Sequence, residues 1–276
     1  MTTTLRPDGP ERRRPDGFRA RSYTVCVNSR PVGSVELSSG AELGPTVGTI
    51  AGLTIAPPDR KRGRGAVAAL AGEEVLRSWG CTRVRIAVRA EAEHALRLAA
   101  SLCYTERNRH LRKEVAPVRA LPAGTSVRPL SLAEYQPWLA RGREKFIESL
   151  TVLGVPREEA EQREAASART LLPAAGPEGP ARDGVVLLGV AHGGEDVAAL
   201  WLRTAEPAWV YAVEVAAEFR GRGHGRTAMI AAENACRDAG ALSIGLNVFV
   251  ANVAAVRLYE SLGYGTEVRH FVKALV

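Results

Sequence analysis

Arg220-Gly221-Arg222-Gly223-His224-Gly225 follows the apolar run from Trp209 to Val215, and 160 residues earlier Arg60-Lys61-Arg62-Gly63-Arg64-Gly65 follows the apolar run from Val47 to Ile55. The register holds without a gap to Tyr104 and Tyr264, and 16 of the 45 positions aligned from Arg60/Arg220 onward are identical. This is an internal duplication. A period of this length means two domains rather than a solenoid.

Each copy predicts a strand, a short glycine-punctuated loop and a helix. Glycine lets a backbone turn sharply and come close to a ligand, and the first turn of a helix offers unpaired N–H groups carrying partial positive charge. Such a loop binds phosphate. After the second loop, the sequence predicts a helix from Arg226 to Asp238 ended by Gly240, a strand from Leu242 to Val248, and a helix from Asn252 to Leu262 capped by Asn252.

These residues carry a resemblance. Arg220-x-x-Gly223-x-Gly225, then Leu246-Asn247-Val248, then Asn252-x-x-Ala255-x-x-Leu258-Tyr259-x-x-Leu262-Gly263-Tyr264 is similar to the GNAT acyltransferase superfamily. The match covers about Ser126 to the C-terminus, and the first repeat resembles the later two thirds of the same fold. In plan the pair is similar to tandem GNAT proteins such as mycothiol synthase. The resemblance implies an α/β (α+β) architecture of two tandem GNAT folds, each a mixed, mostly antiparallel sheet flanked by helices, with the first domain truncated.

Length and composition agree with two compact units, each able to bury a core. No apolar stretch approaches the roughly 20 residues of a membrane span, and no apolar region near the N-terminus suits a signal peptide. A cytoplasmic protein without a membrane role is expected. Cys26, Cys81, Cys103 and Cys236 are scattered, with no histidine at ligand spacing, so buried reduced thiols and no metal site are expected. The net charge is +7, but 33 of the 37 basic residues are Arg in a chain rich in Ala and Gly. No basic patch is interleaved with aromatics, and a nucleic-acid partner is not expected. The sequence gives no oligomeric state.

Residues 1–22 hold six Arg against three acids, broken by Pro and Gly, and read as a disordered basic tail. Tyr23 to Asn28 and Val32 to Leu37 predict a hairpin. Strand, loop, helix, strand and helix follow to Leu102, and Arg107 to Val115 reads as the closing strand of an N-terminal domain over 23–115. Residues 116–125 read as a linker and 126–276 as the catalytic domain. Within it, Ser126 to Leu130 opens, Ser131 with Glu134 forms a capping box, and helices run toward Leu153 and over Arg157 to Leu172. Ala174 to Asp183 reads as a loop, followed by a hairpin around His192-Gly193-Gly194. The first domain has no room for the two early helices that, in the family, wall the acceptor site.

The resemblance implies transfer of the acetyl group of acetyl-CoA to an amine. It assigns the backbone of Val213 and Val215 to the pantetheine arm, and the loop from Arg220 through Gly221, Arg222, Gly223, His224 and Gly225 to Arg226, with Asn252, to the cofactor. Tyr259 matches the family's tyrosine near the CoA sulfur, where a phenol donates to the departing thiolate; a tyrosine of the helix core is the plainer reading. The register puts Ala99 opposite Tyr259 and Ala92 opposite Asn252, so the first domain is degenerate. Its loop of Arg60, Gly63, Arg64 and Gly65 either holds a second CoA or is kept for packing.

The family often places a carboxylate base where this chain has Trp209 and Asn247. Glu214 is the remaining candidate base, with a water relay as its competitor. Trp138, Arg141, Phe146 and Ile147 are expected to line the acceptor pocket. The acceptor read first is the primary amine of a small metabolite, with a protein N-terminus or lysine second. A non-catalytic acyl-CoA-binding protein and an aminoacyl-tRNA-dependent transferase are the alternatives of other classes.

Overall fold

The computed structural model describes residues 2–40, 44, 46–115, 117–151, 155–171, 174–176, 179–181 and 184–275. Along the chain run β1 (Thr3–Arg13), β2 (Arg19–Val27), β3 (Arg30–Ser39), β4 (Val47–Ile55), α1 (Arg64–Ser78), β5 (Arg83–Arg89), α2 (Glu93–Ser101) and β6 (Thr105–Glu114). There follow β7 (Thr125–Pro129), α3 (Leu132–Thr151), α4 (Arg157–Leu171), β8 (Ala174–Gly176), β9 (Gly179–Ala181), β10 (Val185–His192), β11 (Glu195–Arg203) and β12 (Ala208–Val215). The last elements are α5 (His224–Asp238), β13 (Ser243–Phe249), α6 (Val253–Ser261) and β14 (Gly265–Ala274). The chain divides into two compact units, residues 1–109 with 267–276, and residues 110–266.

In the first unit the strands run in the order β1-β2-β3-β4-β5-β14, antiparallel except for β4 with β5. The predicted hairpin is β2 and β3, turned by Asn28 and Ser29 at φ +48° and +67°. Residues 1–22 are a correction. Instead of a disordered tail, β1 pairs with β2 from Thr3↔Val27 to Arg13↔Arg19, with a register shift between Asp8 and Arg12. An edge strand tolerates Pro7 and Pro10, since its outer N–H groups need no partner. Arginines of the run that reads as disordered are paired: Arg19 Nε donates to Glu11 at 2.6 Å, and Arg12 pairs with Glu36. The early helices are replaced here by a strand hairpin.

In the second unit the order is β6-β13-β12-β11-β10-β7, with α3 and α4 after β7. Ser131 N donates to Glu134 at 2.8 Å as the capping box requires, and Arg128 with Ser131 holds that carboxyl down at about 2. The ends of the two early helices at 152–154 and 172–173 lie outside the described residues. The stretch read as a loop contains the small hairpin β8-β9. β10 and β11 turn at Gly193 and Gly194, both with positive φ.

The closing strands are the second correction. Arg107 to Val115 reads as the end of the first domain, yet its residues from His110 onward belong to the second unit, while β14 completes the first by pairing with β5 from Val268↔Arg89 to Ala274↔Arg83. The duplication explains why: the two strands carry equivalent side chains. Leu111 is buried in the second core and Phe271 in the first. Lys113 Nζ donates to Glu233 at 2.9 and 3.0 Å in one unit, and Lys273 Nζ donates to Glu73 at 2.7 Å in the other. The expected linker is not free either. Arg119 pairs with Glu233, and its backbone exchanges hydrogen bonds with Asn234 at 3.2 and 2.9 Å.

Glu233 is 3 % exposed and sits between the cations Lys113 and Arg119, with Tyr264 beside it. Burial first, and then the Glu233 charge, push the Tyr264 phenol well above its ordinary range. Removing one partner from such a buried pair leaves an uncompensated charge and costs about 3–5 kcal/mol. Glu233→Ala is expected to destabilise the second unit by that amount in urea unfolding followed by the fluorescence of Trp138, Trp201 and Trp209. Adding Lys113→Met should recover part of the loss.

Candidate active site

The site of the second unit is made by two parallel strands that separate. β12 pairs with β13 only over Ala208–Val210 with Ile244–Leu246. At that point β12 bulges against β11, with Leu202 opposite Val210 and Trp201 opposite Ala212. β12 then stays on β11 as far as Val215, which leaves its other edge open toward β13 among the described residues. Along that edge the side chains divide. Val213 and Val215 pack on the core under α5, whereas Ala212 joins the cluster of Tyr135 and Trp138 on the α3 side.

The loop follows the strand directly. Gly221 and Gly223 take φ of +76° and +86°, which only glycine adopts freely. α5 starts at His224 with no side-chain cap. Arg226 N and Thr227 N turn back to Gly223 O at 3.0 and 3.2 Å, and the N–H groups of residues 221–225 have no partner among the described residues. Helix-terminal donors of this kind suit a pyrophosphate. The arginines do different work. Arg220 Nε donates to Val215 O at 3.2 Å and shapes the turn, Arg226 ties α5 to Ser261 of α6 at 2.6 Å, and Arg222 lies 5.8 Å from the Phe219 ring. The His224 ring lies 5.3 Å from that of His192.

Asn252 does not project a free amide into the site: its side-chain oxygen accepts from Ala255 N at 3.2 Å and caps α6. Tyr259, on α6, is 9 % exposed, with its ring 6.0 Å from that of Tyr264. Burial pushes its phenol above the ordinary range.

On the other side of β12 lies a cleft of about 600 Å³. Trp138, Arg141, Asp196, Glu214 and Arg220 line it. Of the residues expected there, Trp138 and Arg141 are in place, while Ile147 is 1 % exposed in the interior and Phe146 lies outside the lining. Ile147 and Phe146 follow Arg141 around the helix, so α3 turns them to other faces. The Glu214 carboxylate accepts from Lys145 and has Arg141 Nε at 3.9 Å. Sequence reading did not single out Lys145, although it stands four residues after Arg141 on the same helical face. It also missed Trp201, which lies 5.9 Å from Trp138 and 4.7 Å from Tyr211. Arg128 neutralises Glu134 and Asp196 at the edge, at 2.6 and 3.0 Å.

The first unit repeats the strand geometry. β4 and β5 pair over Val47–Thr49 with Arg83–Arg85, and Arg60 Nε donates to Ile55 O at 2.7 Å. Gly63 takes φ +72° before α1, whose Gly65 lies in the lining of the adjoining cleft. Arg64 is different from the expected phosphate ligand. It is 6 % exposed and paired with Asp59, which Arg30 also holds at 2.7 Å. Only its backbone N–H remains for an anion.

No helix of the described residues is long and apolar enough to cross a membrane. Cys26, Cys81 and Cys236 are buried, but Cys103 is exposed, contrary to expectation, because it occupies the positive-φ turn after α2.

The model of the acetyltransferase (GNAT) family matches residues 3–103 and 151–264. No curated protein matches the sequence. Among solved structures, a GCN5-related N-acetyltransferase from Sphaerobacter thermophilus is similar at 18% identity and TM-score 0.59, over 92% of this chain and 80% of that one. A tandem GNAT protein from the clavulanic acid biosynthesis pathway is similar at 17% identity and TM-score 0.50, over 95% and 85%. A third, from Kribbella flavida, gives 16% identity and TM-score 0.51 over 87% and 86%. These likenesses show a shared fold. With the family model matched in both repeats, the chain belongs to the acetyltransferase (GNAT) family as a tandem, two-domain acyltransferase.

Proposed function

We propose that the second unit transfers the acetyl group of acetyl-CoA to the primary amine of a small metabolite, and that the first unit holds a CoA without transferring from it. The observation that carries this reading is the asymmetry of the two sites. Both have the parted parallel strands and the left-handed glycine before an uncapped helix. Only the second has a tyrosine, Tyr259, on the following helix, together with the cleft between α3 and the sheet.

In the reaction the open edge of β12 at Val213 and Val215 aligns the thioester, and the N–H groups of the loop hold the pyrophosphate. The amine enters from the cleft and must be neutral to attack the thioester carbonyl. Its C–N bond forms as the C–S bond breaks. Glu214, whose carboxylate Lys145 engages in the resting site, takes the proton of the incoming ammonium once Lys145 yields to that cation, and the second proton, shed as the nitrogen becomes an amide, passes to solvent. Tyr259 gives its proton to the departing thiolate. Burial suits it to that part, because a phenol shifted upward stays protonated over the working pH range. Orientation of both reactants on one rigid strand edge supplies the remaining gain.

Three outcomes are expected. Gly223→Val places a side chain where φ is +86° and where the phosphate would approach, so calorimetry should show loss of acetyl-CoA binding to the second unit, at least about 100-fold, with its unfolding transition retained. Tyr259→Phe should lower kcat by about 10²- to 10⁴-fold while leaving the Kd for acetyl-CoA nearly unchanged. In the unsubstituted protein the rate should fall only as pH rises above the ordinary phenol value of about 10, and this limb should vanish in Tyr259→Phe.

A further inference from the structure

The first unit contains a cleft of about 740 Å³ between β4, β5, α1 and α2. Its walls are mostly aliphatic, from Leu53, Ile55, Ile86, Leu98 and Leu102, Arg60 and Gly65 of the anion loop border it, and Arg89, Glu91, Glu93 and His94 also belong to its lining. The methyl groups of Ala69 and Ala99, 5 % and 2 % exposed, are part of its lining. The 160-residue register sets these opposite Met229 and Tyr259, whose larger side chains belong to the core of the second unit. Tyr104, the counterpart of Tyr264, is kept and locked by its hydroxyl on Glu73 at 2.8 Å. The first cleft has therefore gained apolar room beyond the point where the second unit ends in a tyrosine and a methionine, and it has lost the proton donor at the same place.

We infer that the first unit binds CoA thioesters with a medium-length aliphatic acyl chain, the chain lying against Ala69 and Ala99 and the diphosphate on the loop before α1. This rests on the reading that the first unit holds CoA. The occupant follows from the two ends of the cleft together: unpaired N–H groups and arginine at the mouth call for an anionic head, and the aliphatic interior calls for a chain with no polar group. Ala99 offers no acid, so the thioester is retained rather than consumed.

The test uses the full chain carrying Gly223→Val, which silences the second site, titrated calorimetrically with acetyl-CoA and octanoyl-CoA. Each buried methylene adds about fourfold in affinity, and with about half of its additional methylenes buried in the cleft octanoyl-CoA is expected to bind on the order of 100-fold more tightly than acetyl-CoA. Ala99→Tyr, and separately Ala69→Met, should bring octanoyl-CoA back toward acetyl-CoA without weakening acetyl-CoA itself; Gly63→Val should abolish both. The series in chain length needs no change in the first cleft, so a variant that fails to fold does not decide the matter. Equal affinity for the two thioesters, both lost in Gly63→Val, would overturn the inference and leave the CoA reading intact. Binding of neither, or octanoyl-CoA binding indifferent to Gly63→Val, would overturn both.

Discussion

The separation of two parallel strands after three paired residues is the constraint on which each unit depends. A paired strand would spend its N–H and C=O groups on its neighbour; a strand held on one side and bare on the other keeps them for an extended ligand. In the second unit the bulge opposite Trp201 and Leu202 starts the divergence, and β11 keeps β12 in place beyond it. The first unit uses a register shift between Ser34 and Glu36 opposite β4 to the same end. Bulges re-aim a strand next to functional sites. The anion loop then has only to continue the open edge, which it does through a left-handed glycine and an uncapped helix.

A second feature stabilises this opening from below. A gap in a sheet removes ladder hydrogen bonds, and each unit has a buried glutamate on the helix that follows its glycine loop, Glu73 of α1 or Glu233 of α5, bound to a lysine of the closing strand. Buried ion pairs contribute less to stability than their distances imply, because desolvation offsets the attraction. Their effect on specificity is clearer: an unpaired Glu73 or Glu233 would be costly, so a closing strand must bring its lysine in one register. Because Lys113 and Lys273 occupy equivalent repeat positions, either strand meets that demand, and each unit is completed by the strand that follows the other repeat.

The two copies have diverged where chemistry would be. Asp59 and Arg64 turn the first loop into a buried ion-pair site, while Phe219 and His224 occupy the same positions in the second. Ala99 is part of the lining of an apolar cleft, and Tyr259 is part of the core. The cleft of the second unit lies between α3 and β12, and its charges are largely matched: Arg128 with Glu134 and Asp196, Lys145 with Glu214.

Much of the local plan was legible in the chain because it is written in short-range signals. The duplication, both glycine loops, the hairpins, the Ser131–Glu134 box and the Asn252 cap depend on residues a few positions apart, whose conformational preferences act without the rest of the fold. What needed the tertiary structure is what depends on distant partners. The first 22 residues look too charged and too rich in Pro and Gly to order, yet residues 3–13 form a strand because β2 offers an edge, Arg19 of β2 pairs with Glu11 of β1, and Glu36 of β3 pairs with Arg12 of β1. Two nearly equivalent closing strands give no local clue to which sheet each joins. The environment of Glu214 was equally hidden, since its cation comes from α3, 69 residues away in sequence, and only the packing of that helix over the sheet brings Lys145 to it.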